Sequence, residues 1–103
     1  MPRTYSQEFI NQVKQQDPNE SGIALAQACV GANLPAKYVA VALKVTRMTV
    51  YSWFRGKPIR DKNRKLVEVF TDLVESDTAK GMLPARNTLE AKAYIEEMIG
   101  QKI

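Results

Sequence analysis

Nine basic residues fall between positions 34 and 65: Lys37, Lys44, Arg47, Arg55, Lys57, Arg60, Lys62, Arg64 and Lys65. Asp61 is the single acid among them, so the stretch carries a net charge of +8. The flanks are acidic, −1 over residues 1–33 and −3 over residues 66–103, and the whole chain sums to +4. Cations concentrated between acidic flanks point to a surface built for a polyanion, because Lys and Arg that neutralise phosphates release counterions and hold nucleic acid whatever its sequence. A solvated basic loop would show the same charge count, so the residues between the cations must separate the two readings.

Other chemistries are poorly served. There is no histidine, and Cys29 is the only cysteine, which leaves no Cys/His zinc site and no internal disulfide. No glycine-rich phosphate loop and no nucleophile with a base beside it can be named, so catalysis is not expected, nor is a metal or a cofactor. Cys29 reads as a small buried apolar residue.

The cations must be positioned by a scaffold, and residues 36–55 supply one. Ala36-Lys37-Tyr38-Val39-Ala40-Val41-Ala42-Leu43 reads as a short helix, Lys44-Val45-Thr46 as a turn, and Arg47 to Arg55 as a second short helix. Two helices that cross steeply need a small residue where they touch, and Ala40 meets that need. Val39, Leu43, Val45, Val50 and Trp53 are spaced to fill the wedge between them, and Thr46 can cap the second helix. Arg47, Met48, Thr49, Tyr51, Ser52 and Arg55 then face outward. Aromatics beside cations can stack on unpaired bases, but Trp53 falls on the inner face and is expected in the core. Tyr51 faces out.

The stretch VALKVTRMTVYSWFRG resembles the second and third helices of the lambda-repressor-like (Cro/repressor type) regulators of phages and bacteria. LAQACVGANL would be their first helix and KNRKLVEVFTDLV their fourth, so the resemblance covers about residues 22–75. Other helix-turn-helix families share this pattern, small terminase subunits among them, and RTYSQEF echoes the start of some transposase-associated ones. One departure stands out: the turn position that is usually glycine is Lys44 here. A non-glycine residue in the left-handed conformation costs on the order of 1 kcal/mol or more, so the turn is either strained or differently shaped.

The resemblance implies that the helix at about 47–55 lies in the major groove of double-stranded DNA. Arg47, whose guanidinium can bond guanine O6 and N7 together, then leads the base-edge candidates, with Met48 and Tyr51 able to meet a thymine methyl. The phosphate candidates are Lys37, Lys44, Thr46, Thr49, Ser52, Arg55, Lys57, Arg60, Lys62, Arg64 and Lys65, which position rather than specify. Cations from Lys57 to Lys65 sit at a helix N-terminus, where the dipole disfavours them by a few tenths to about 1 kcal/mol each. A phosphate there would reverse that penalty.

The remaining elements complete an all-α domain of five or six short helices spanning residues 1–103, with 22–75 as the helix-turn-helix core. The first helix is expected from about Ser6 to Gln16, with Tyr5, Phe9, Ile10 and Val13 on one face and Asp17-Pro18-Asn19 as its stop. Ser21 is expected to cap a second helix over 22–32, stopped by Gly31 and Asn33. Pro35 fits the first turn of the third, and Gly56 and Pro58 end the fourth. Asp61 or Asn63 opens a fifth to about Glu75, with Leu66, Phe70, Leu73 and Val74 inward. Ser76 to Arg86 reads as a polar connection. Asn87, with Glu90 three residues on, opens a last helix over 87–99, with Ala91, Tyr94, Ile95 and Met98 on its apolar stripe.

A DNA-binding transcriptional regulator is therefore the leading expectation. The alternatives are a phage DNA-packaging or recombination accessory protein and an interaction module that binds a host protein. A homodimer is expected to serve two half-sites. No apolar run approaches the roughly 20 residues of a membrane span and the N-terminus lacks a signal-peptide core, so a cytoplasmic protein is expected.

Overall fold

The computed structural model describes residues 5–16 and 21–103, and the expected helix stop at Asp17-Pro18-Asn19 lies outside them. Six helices follow in order: α1 (Gln7–Lys14), α2 (Ser21–Ala32), α3 (Ala36–Leu43), α4 (Arg47–Phe54), α5 (Asp61–Ala79) and α6 (Thr88–Ile99), and no strand occurs among the described residues. The all-α class holds.

Local chemistry explains three of the six helix starts. Ser6, Thr46 and Asn87 each sit in extended backbone, and each side-chain oxygen accepts the amide N–H three residues on. Such a bond satisfies one of the donors a helix start leaves free. Pro35 is the residue just before α3, not part of its first turn, with φ −62° and ψ 143°. Ser21 is already helical, so it is not the cap. Gly31 lies within α2 and stops nothing. Asn33 does stop it, in the left-handed conformation at φ 58°. Its amide donates to the Ala85 carbonyl at 2.8 Å, and the Ala85 N–H donates to the Ala32 carbonyl at 2.9 Å.

The α5–α6 connection is thus pinned to the end of α2 rather than loose. Leu83 and Ala85 enter the core with it. α5 itself runs four residues beyond the expected Glu75. The Thr78 hydroxyl donates to the Val74 carbonyl at 2.8 Å, and Asp77 accepts from the Tyr94 hydroxyl of α6 at 2.5 Å. Gly81, at φ 84°, lies just past its end.

The inward face of α5 also differs from expectation. Phe70 and Val74 are buried as foreseen, but their companions are Val67 and Thr71, while Leu66 and Leu73 are exposed. Residues 67, 70, 71 and 74 follow the i, i+3, i+4, i+7 spacing of one helix stripe. Leu66 precedes Val67 and Leu73 precedes Val74, so both sit about 100° round the helix from it.

α2 lies centrally, packed against α1, α4 and α5, while α3 packs on α4, α5 and α6. One core joins all six, with Leu25, Val39, Val50, Val74, Ala91 and Ile95 fully enclosed. The radius of gyration of 12.5 Å matches the ~13 Å of a single folded domain of about 100 residues. Among the described residues no helix is long and apolar enough to cross a membrane.

Candidate nucleic-acid interface

α3 and α4 are joined by three residues, and the turn takes the strained form. Lys44 adopts φ 59°, ψ 40°. Its N–H donates to the Val41 carbonyl at 3.2 Å, and the Val45 N–H to the Ala40 carbonyl at 3.1 Å. This pair of bonds closes a helix through a left-handed residue, a place glycine occupies without penalty. Thr46 then launches α4, with its hydroxyl accepting from the Thr49 N–H at 3.1 Å and lying 2.9 Å from the Thr49 hydroxyl.

Val50, Trp53 and Phe54 form the buried side of α4. Trp53 is in the core as expected, and so are Val39, Ala40 and Leu43 of α3, with Val45 partly buried. At about 100° per residue, Met48, Ser52 and Arg55 lie at the centre of the opposite side, with Arg47 and Tyr51 on one margin and Thr49 on the other. Met48 is 80% exposed and Tyr51 39%. Leu89 and Met82, away from α4, are exposed to a comparable degree, so the exposure of Met48 alone marks no contact surface. Arg47 and Arg55 are exposed, and Ser52 and Thr49 are partly so.

Two features hold α4 at its depth, and neither follows from the pattern of residues 36–55. Phe54 packs 6.2 Å from Tyr5, which precedes α1, and 6.1 Å from Phe9 of α1, and these two stack on each other at 5.4 Å. The Tyr5 hydroxyl donates to the Leu34 carbonyl at 2.5 Å, and burial pushes its pKa well up. Tyr51 meets the edge of Phe54 from outside, ring centres 6.1 Å apart. The second feature is Gly22 in α2. A Cβ there would lie 2.4 Å from the Trp53 carbonyl oxygen, so only glycine lets the two helices approach this closely.

Past α4, Gly56 takes φ 96° and Ile59 turns inward, leaving Lys57 and Arg60 exposed. Arg60 precedes α5 without capping it by its side chain. Arg64 folds back toward this link, donating to the Ile59 carbonyl at 3.4 Å and pairing with Asp61 at 3.5 Å. Lys37 lies over the Tyr38 ring, 5.0 Å from its centre. Among the described residues, Lys44, Arg47, Arg55, Lys57, Arg60, Lys62 and Lys65 make no ion pair.

The sequence-predicted residues therefore divide. Arg47, Met48, Thr49, Tyr51 and Ser52 share one helix, with Lys44 and Thr46 at its start, Arg55 at its C-cap and Lys57 after its end. Arg60 belongs to the following link, and Arg64, in the first turn of α5, reaches back to it. Lys62 and Lys65 lie on other sides of α5, Lys62 about 160° from Arg64 and Lys65 about 100°. Among the described residues no cluster of His, Cys, Asp and Glu could hold a metal ion. Cys29 is fully buried, and that burial raises its thiol pKa. Comparison with protein-family models, with curated proteins and with solved structures finds no match to this chain.

Proposed function

We propose that this chain binds double-stranded DNA as a helix-turn-helix protein, with α3 crossing the backbone and α4 in the major groove, and that it acts as a transcriptional regulator. The observation that carries this reading is the outward side of α4, where Arg47, Met48, Tyr51, Ser52 and Arg55 are presented over a firmly seated base. No acid occupies the first turn of α4, and Lys44, Arg47, Arg55, Lys57 and Arg60 make no ion pair among the described residues. Phosphates neutralise such a surface, whereas fold stability alone disfavours cations at a helix start.

In this reading Arg47 forks onto a guanine and Met48 or Tyr51 packs on a thymine methyl. Lys44, Thr49, Ser52, Arg55, Lys57 and Arg60 grip phosphates on either side.

Fluorescence anisotropy of a labelled random-sequence duplex, titrated with protein at several salt concentrations, tests the reading. Neutralising four to six phosphates predicts a slope of log affinity against log salt of about −4 to −5. Absence of binding even at low salt would refute it.

A further inference from the structure

α5 carries an apolar stripe on its outer side. Leu66, Val69 and Leu73 are 42%, 43% and 47% exposed, and their i, i+3, i+7 spacing puts them on one face. Four charges border the stripe within the helix, and Lys80 follows on the same side at its C-cap. Lys62 and Lys65 lie toward the N-terminal end, Asp72 and Asp77 toward the C-terminal end. Lys65 and Asp72, seven residues apart, share one flank.

From this geometry we infer that the chain pairs with a second copy of itself through α5, the two helices running antiparallel about a two-fold axis near Val69. That arrangement sets Leu66 against the partner's Leu73, Val69 against the partner's Val69, and Lys65 against the partner's Asp72. Lys62 falls opposite the partner's Asp77. A two-fold contact must be complementary to itself, and this one matches both apolar and charged positions. A parallel pairing would set Lys65 against Lys65 and Asp72 against Asp72.

The receiving end is shaped for the contact. Leu73 and Asp77 line an open cleft of about 290 Å³ with Met82, Tyr94, Glu97 and Met98. Its apolar walls suit the partner's Leu66 and the stem of Lys62, and its two carboxylates suit the Lys62 ammonium. Lys62 and Lys65 thereby leave the set of phosphate ligands. One helix face pairing with another is a contact of under about 1,200 Å², the range of weak, reversible association.

Sedimentation velocity of the full chain without DNA, at rising concentration, tests this independently of the DNA reading. The wild type is expected to pass from monomer to dimer below millimolar concentration. Asp72→Lys is expected to raise the dissociation constant about tenfold or more by opposing like charges. Adding Lys65→Asp to that variant is expected to restore it, and Leu73→Glu to abolish the dimer. Circular dichroism checks that these exposed substitutions leave the helices intact. A monomer at every concentration would overturn the inference, as would a dimer indifferent to Leu73→Glu and Asp72→Lys, or failure of the double charge reversal to restore pairing.

Discussion

The outer faces of α4 and α5 are built on opposite plans. α4 is eight residues long and rests on three buried side chains, Val50, Trp53 and Phe54, buttressed by Tyr5 and Phe9 and by close approach at Gly22. Its water side is polar and cationic, with Met48 as the one fully projecting apolar group. α5 is nineteen residues long, and its water side is an apolar stripe bounded by charges of both signs. A cationic face with few apolar groups suits a wet, phosphate-rich partner. An apolar stripe with opposed charges at its ends suits another protein surface. Net charge alone would merge Lys62 and Lys65 with the α4 cations; their placement separates them.

The largest effects should come from removing the support of α4. Trp53→Ala is expected to cost about 3–5 kcal/mol, seen in urea unfolding. Gly22→Ala should cost about 1–3 kcal/mol, because the new methyl group presses on the Trp53 backbone rather than on a flexible side chain. If Gly22→Ala left both stability and DNA affinity unchanged, α4 would not be held where this account places it.

Arg47→Ala acts on the outer side of α4 instead. It should weaken binding to a preferred duplex by about 1–3 kcal/mol and blur one base preference, with no change in thermal midpoint. Unchanged site selection would remove Arg47 from base reading. Lys44→Gly should stabilise the fold by about 1 kcal/mol by relieving the left-handed turn, while lowering the salt slope by about one. A stability gain with no change in slope would separate the strain at Lys44 from any phosphate contact.

The smallest effect concerns the start of α6. The Glu90 carboxylate accepts from the Arg86 backbone N–H at 3.0 Å and from its guanidinium at 2.9 Å, and these hold its pKa below the ordinary carboxylate value. A pKa depressed in the folded state contributes stability that is present above the unfolded value and lost as pH falls through the folded one. Acid titration should therefore loosen α6 modestly within the carboxylate range, and Glu90→Gln should remove that part of the pH dependence.

Much of this was legible where the signal is local. Thr46 and Asn87 announce their helices because a cap needs only a side-chain oxygen and an amide three residues on. The inner side of α4 follows from the spacing of Val50 and Trp53. The reciprocal half of the Asn87 cap failed, because Glu90 reaches Arg86 instead. What escaped is tertiary. Nothing near Gly22 in the chain indicates that the Trp53 carbonyl arrives there, and nothing near Asn33 that its amide reaches Ala85. Ser76-Asp77-Thr78 reads as a loop until Tyr94 supplies a partner for Asp77. Leu66 and Leu73 share a helix stripe with Phe70 and Val74, and the buried stripe is turned from it by about 60° to take in Val67 and Thr71. The exposure of Leu66 and Leu73 is the observation that identifies the second surface.

The most direct test of the separation between the two faces is amide chemical-shift mapping of the full chain as a DNA duplex is added. Shifts are expected to concentrate over residues 44–57, with the amides of Leu66, Val69 and Leu73 unmoved. Shifts centred on α5 with α4 silent would contradict it.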